Sequence, residues 1–257
     1  MIPLHDANPT RGVPVVTRLL LFANIVLWLY ALNLSRTPGA MEAFYDRYSF
    51  DWTTFTGALA AGNASVATFV PLITHQFLHG GWLHVLGNML YLWIFGDNVE
   101  DAIGHFRYVA FYLIGGVAAA LTQMAVDPGS HIPMVGASGA ISAVMAGYLM
   151  LYPTAPITVL NPIFLLWFFF GIFLELPAWV VTLEFFAVNL LAAETSRTGH
   201  AMGGVAFFAH IGGFVAGFVL VRFFMIGRTK MVADRWSGWR PPERRRADSW
   251  DDSRYYR

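Results

Sequence analysis

Six long apolar stretches, at residues 19–34, 82–95, 107–126, 138–152, 177–193 and 201–226, are separated by polar or proline-bearing links. Stretches of this kind are read as membrane-spanning helices, which need roughly 20 apolar residues to cross a hydrocarbon core of ~30 Å. Composition agrees: 56% of the 257 residues are hydrophobic and 12% are charged, against about 25% charged in a soluble domain. The expected fold is therefore an all-α membrane protein, a six-transmembrane-helix bundle. The chain has no cysteine, which excludes disulfides, thiolate catalysis and cysteine-ligated metals.

The links divide the chain into three parts. Residues 1–18 form a short polar N-terminal segment that lacks the amphipathic, Arg/Ser-rich pattern of an organelle transit peptide. The stretch at 19–34 could be a signal peptide, but no A-x-A-like cleavage site follows it, and it is read as an uncleaved span. Residues 19–226 form the membrane domain. Its first loop, 35–79, is long and carries Phe44, Tyr45, Tyr48, Phe50, Trp52 and Phe55. Aromatic segments of this kind settle at the headgroup boundary, so the loop is expected on or partly in one leaflet, with an ordinary extramembrane loop as the alternative. The second span is expected to stop at Gly96-Asp97. The apolar run 157–176, interrupted by Pro162, is expected to be an interfacial or re-entrant piece. Residues 227–257 form a basic tail, expected to be disordered, with nine basic against five acidic residues. The positive-inside rule puts it in the cytoplasm, and six spans then bring the N-terminus to the same side of a cell membrane. The tail can attract anionic lipid; a nucleic-acid partner is not supported.

Chemistry concentrates in three spans. Ser138 opens the fourth span between Gly136 and Gly139, so its hydroxyl and amide are both accessible, as a nucleophile beside its own oxyanion donor requires. Small residues also serve close helix packing, so partners elsewhere must decide. The fourth span reaches only ~21 Å at 1.5 Å per residue, which sets Ser138 below the membrane surface. His210 lies at a similar depth in the parallel sixth span. A histidine inside a span is costly and marks function unless it bonds a neighbouring helix. Gly139, Ala143 and Gly147 on one helix, and Ala209, Gly213 and Gly217 on the other, form two small-residue ridges that permit close approach. No acid accompanies the pair, which fits a Ser–His dyad better than a triad. His84 and Asn88, four residues apart on the second span, share a helix face and could donate to an oxyanion. His75, His79 and His84 could hold a metal, but no H-E-x-x-H pattern or convergent carboxylate supports one, and no cofactor is expected.

Together, His79-x4-His84-x3-Asn88, Gly136-Ala137-Ser138-Gly139 and Ala209-His210-Ile211-Gly212-Gly213-x3-Gly217 resemble the rhomboid intramembrane serine proteases. Leu151-Tyr152-Pro153 and Pro177-Ala178-Trp179 are similar to the bacterial branch. The resemblance covers about residues 19–224. It implies a six-helix rhomboid-like bundle with Ser138 as nucleophile, His210 as base, and an oxyanion hole of Asn88, His84 and the Ser138 amide. Gly136, Gly139, His79, Gly213 and Gly217 would support them. It also implies single-span membrane-protein substrates that enter from the bilayer between the second and fifth spans and are cut at small residues near the outer face. Two positions depart from the family pattern: Val70-Pro71 falls where many members carry a Trp-Arg pair, and Ser142 stands where many have a tyrosine beneath the histidine. The family assigns no role at Glu184. A non-catalytic rhomboid-like binder of transmembrane clients is the alternative, which the intact Ser138/His210 pair argues against. A transporter would show symmetric halves with paired broken helices, and none are evident. Oligomeric state is not encoded legibly.

Overall fold

The computed structural model of the chain describes residues 1–129, 132–161, 167, 171–197 and 207–228, with the backbone alone over 189–197. Pro162, residues 201–206 at the start of the sixth stretch and the tail from 229 onward lie outside the described residues. Among the described residues, six helices of 14 residues or more form a helical membrane bundle: α1 (Val15–Leu34), α6 (Trp82–Ile103), α7 (His105–Val126), α8 (Ser138–Leu151), α9 (Ala178–Arg197) and α10 (Phe207–Phe224). Among the described residues, α1, α7 and α10 are long and apolar enough to cross a membrane on those grounds alone. The short α8 is the central helix, with every residue from Gly139 to Tyr148 buried. A helix apolar on all sides belongs inside a bundle, and α8 is packed by α6, α7, α9 and α10.

The long first loop folds into four short helices, α2 (Ala40–Tyr48), α3 (Trp52–Ala60), α4 (Val66–Phe69) and α5 (Pro71–Thr74), and a single 3-10 turn at His75–Phe77. The Asp51 side chain accepts from the Thr54 amide and caps α3, while Pro71 sits at the first turn of α5, where its missing N–H costs nothing. Thr74 donates to the Tyr48 carbonyl and the Tyr45 hydroxyl to the His79 carbonyl, tying the loop to the entrance of α6. Phe50 and Met134 exchange two backbone hydrogen bonds, so the loop also holds the segment that leads into α8.

At the opposite end of the bundle one expectation is corrected and another takes a definite form. First, α6 does not stop at Gly96-Asp97 but continues to Ile103, because its acidic turn is engaged rather than exposed. Glu100, 1% exposed, accepts from the amides of Val16 and Thr17 at 2.8 and 2.7 Å, from the Thr17 hydroxyl at 2.6 Å and from His105 Nδ1 at 2.5 Å. Pro14, at the N-cap of α1, offers no side-chain cap of its own. Glu100 therefore supplies the acceptor and the negative charge that a helix N-terminus favours, and α1 begins at Val15, ahead of its apolar stretch. Asp101 accepts from the amides of Arg11 and Gly12 in the segment that leads into α1.

Second, the run 157–176, expected as an interfacial or re-entrant piece, takes strand form at its described ends. Its ends form β2 (Pro156–Leu160) and β3 (Phe173–Pro177), which pair antiparallel, and β1 (Ile2–Asp6) adds to the other edge of β2. Ile157, Thr158 and Val159 are β-branched and suit a pleated surface. A short apolar run of this length cannot be told from a buried helical segment by periodicity. The amides of Ala178 and Trp179 donate to the carbonyls of Ala155 and Pro153, so the sheet fixes where α9 begins. Tyr148 donates to Asp6 at 2.8 Å and Asn98 Nδ2 to the Asn8 carbonyl at 3.0 Å, fastening β1 to α8 and α6. The carboxylate of Glu184, for which the sequence suggests no role, pairs with the Met1 ammonium at 2.8 Å.

Glu100→Gln replaces a charged acceptor at the start of α1 and is expected to cost about 2 kcal/mol, read as a lower thermal unfolding midpoint in detergent. Burial raises the Asp6 carboxyl from 3.8 to about 6, partly offset by the Tyr148 hydrogen bond. A folded-state value above the unfolded one means that this contribution to stability is fully present below 3.8 and is lost as pH rises through about 6. Asp6→Asn is expected to remove that slope when unfolding is followed across the same window.

Candidate active site

Ser138 is the first residue of α8 and His210 the fourth of α10. The Ser138 hydroxyl donates to His210 Nε2 at 2.7 Å. The two helices bring them this close because their facing surfaces lack side chains. A Cβ on Gly213 would fall on the Gly139 carbonyl, and one on Gly217 on the carbonyl and Cα of Ala143. The small face of α7 closes the same seam, with Ala119 against Gly139 and Gly115 against Ala143. Gln123 of α7 accepts from the Ala209 amide at 3.2 Å, steadying the first described turn of α10 beside the histidine.

His84 and Asn88 face the same cavity from α6. It has a volume of about 650 Å³, and Ser138, His210, Gly136, Tyr91 and Phe185 also line it. The Gly80 amide donates to His84 Nδ1 at 3.3 Å. That nitrogen is then the acceptor of a neutral imidazole, so the proton is on Nε2. Gly136 brings the Nε2 edge up to the serine. Its φ is +126°, and a Cβ there would stand 2.6 Å from His84 Nε2 and 3.6 Å from Ser138 Oγ. The Gly136 amide itself donates to the His75 carbonyl at 2.9 Å. Asn88 is 8% exposed, and its Nδ2 donor has no partner among the described residues. A hydroxyl in contact with an imidazole, faced by two N–H donors across one cavity, is an arrangement suited to acyl transfer.

His79 has a different position. It is fully buried, and its ring meets that of His84 edge to face at 5.1 Å. Burial, with a smaller contribution from His84, lowers its imidazole to about 3, so it is neutral at any ordinary pH. His75 Nδ1 donates to the Pro71 carbonyl at 2.8 Å, and burial lowers that ring to about 4. Both histidines are thus packed parts of the loop behind His84. Among the described residues, no three His, Asp or Glu side chains converge as a metal site would require.

Gln123, Tyr91 and Phe185 are among the cavity residues that escape sequence reasoning. The ring centroid of Phe185, on α9, lies 6.1 Å from that of His210 and 5.4 Å from that of Tyr91. Which face of an apolar helix turns inward is set by packing, and no local pattern marks Phe185. Ser142, one turn along α8, has its hydroxyl donated to the Ser138 carbonyl at 2.8 Å. At Val70-Pro71 the chain starts α5.

Gly136→Ala demands a conformation that L-residues avoid and drives a methyl into His84. It is expected to cost about 1–3 kcal/mol of stability and to abolish labelling of Ser138 by a serine-reactive probe.

A family model described as the Rhomboid domain matches residues 66–226. RHOMBOID-like protein 4 of Arabidopsis thaliana is 31% identical over 213 residues, 77% of this chain and 48% of that protein. Presenilin-associated rhomboid-like protein A, mitochondrial, of Danio rerio is 28% identical over 152 residues, 58% of this chain and 36% of that protein. Rhomboid-like protein 11, chloroplastic, of Arabidopsis thaliana is 39% identical over 74 residues, 29% of this chain and 26% of that protein. The chain spans less than half the length of these relatives. The matched region contains Ser138, His210, His84 and Asn88, and the chain belongs to the rhomboid family.

Proposed function

We propose that the protein is an intramembrane serine endopeptidase that hydrolyses peptide bonds in or near the transmembrane segments of single-span membrane proteins. The observation that carries this reading is the 2.7 Å hydrogen bond from the Ser138 hydroxyl to His210 Nε2. As the serine oxygen attacks the scissile carbonyl, its proton passes to His210 Nε2. The carbonyl oxygen becomes an oxyanion, received by the Ser138 amide, His84 Nε2–H and Asn88 Nδ2–H. Collapse breaks the C–N bond, and His210 returns the proton to the leaving amine. An ester to Ser138 remains. Water then attacks it by the reverse proton route, releasing the acid and restoring the serine.

Two further features bear on where this happens. The bundle end opposite Ser138 gathers residues 12–14, the α6–α7 junction and Arg228 around one surface. Both ends of the membrane domain therefore emerge on one side. Nine basic residues follow from Arg228 onward, which supports reading that side as the cytoplasm of a cell membrane, with Ser138 then in the outer half of the bilayer. Substrates would reach the cavity from lipid between α6 and α9. Residues 227–257 would be a solvated basic tail against anionic lipid.

Wild type, Ser138→Ala and His210→Ala, each reconstituted in liposomes with a single-span substrate carrying small residues near its outer end, separate the possibilities. Fragments read by mass spectrometry are expected from wild type, with the initial rate reduced about 10³-fold or more in each variant. Equal fragmentation by all three proteins would overturn the dyad. Substrate bound but intact with every protein, together with no labelling by a fluorophosphonate, would mark a non-catalytic binder.

A further inference from the structure

The base of the proposed dyad has an aromatic neighbour on the helix that flanks the proposed substrate entry. His210 holds the Ser138 hydroxyl through Nε2, and its ring lies beside that of Phe185 at 6.1 Å between centroids and 42° between planes. Phe185 also meets Tyr91 of α6 at 5.4 Å and 48°. The rings thus run Tyr91, Phe185, His210 from α6 through α9 to α10, and the final contact is with Ser138 on α8. On α8 itself, Ser142 has no ring to set against the imidazole, and its hydroxyl is turned back to the Ser138 carbonyl. Among the described residues, Phe185 of α9 gives the histidine an aromatic neighbour from across the cavity.

Resting on the reading of His210 as general base, we infer that Phe185 is a positioning residue: its ring holds the His210 imidazole in line with Ser138, so the dyad is aligned when α9 is packed against α6. Phe185 touches neither the reacting oxygen nor the scissile bond in this role; it acts through the orientation of His210. Separating α6 from α9 to admit a transmembrane segment pulls Phe185 away from Tyr91 and from His210 together. Opening the cavity and aligning its base are therefore opposed, and cleavage follows the return of α9. An edge or offset contact of two rings contributes on the scale of a five- to tenfold change in rate.

The test uses Phe185→Leu, which keeps α9 apolar and of similar bulk, and Phe185→Tyr, which restores a ring. Ser138 reactivity is measured as the rate of fluorophosphonate labelling, since a small probe enters without displacing α9. The His210 ring is followed independently of activity by 13C-histidine NMR, its signal assigned with His210→Asn. Phe185→Leu is expected to shift the His210 signal and slow labelling five- to tenfold, and Phe185→Tyr to return both to wild-type values. A wild type that labels, with Phe185→Leu labelling equally fast and leaving the His210 signal unmoved, overturns the inference and spares the protease reading. Loss of rate in Phe185→Leu without movement of the His210 signal also overturns it. A folded wild type that takes no label at Ser138 overturns the protease reading and this inference with it.

Discussion

The backbone of α8 lies directly against the backbone of α10, and the site depends on that seam. Helices separated by ordinary side chains stand 8–10 Å apart, a gap too wide for a serine and a histidine on facing helices to meet at 2.7 Å unless small residues close it. Gly213 and Gly217 remove the side chains from one face and Gly139 and Ala143 reduce them on the other, with Gly115 and Ala119 of α7 completing the wedge. No water-driven hydrophobic force holds helices together in lipid, so surface fit of this kind takes its place. The seam thus stabilises the bundle and sets the distance between the Ser138 hydroxyl and His210 Nε2. A side chain added there would act on both at once.

The other end of the bundle answers a different demand. Polar backbone groups at helix termini must be satisfied, and several here are met by residues distant in sequence. Glu100 accepts from the start of α1, Arg107 donates to the carbonyls of Phe224 and Ile226 at the end of α10, and the carbonyls of Pro153 and Ala155, just ahead of β2, receive the first amides of α9. The first loop plays this part on the cavity side through Tyr45, Thr74, His75 and Phe50. Each end is therefore tied by polar contacts, while the middle relies on shape.

That division explains what could be read in advance. The spans were legible because length and apolarity are local properties. The pairing of Ser138 with His210 was legible because depth along a helix follows from residue number, and small-residue spacing announces close approach. The continuation of α6 past Gly96-Asp97 was not, since Glu100 finds its partners more than 80 residues away. The sheet was missed for a similar reason: Ile157 and Thr158 look like any short apolar run until β1 and β3 lie beside them. The inward, packed position of His79 and the reach of Phe185 to His210 depend on how a loop and a helix are rotated. A motif does not carry that information.

The β1–β2 pairing also constrains the order of assembly. Ile2 faces Leu160 in the ladder, and Asp6 faces Ile157. On synthesis β1 must therefore wait for its partner until four spans have been made and β2, which follows α8, has emerged. Its contacts span more than 150 residues, and contacts of that kind form late. Strand closure would then be the step that records completion of the first two-thirds of the chain. Because β3 runs straight into α9, the helix flanking the cavity would be seated on a sheet that is itself among the last parts to assemble.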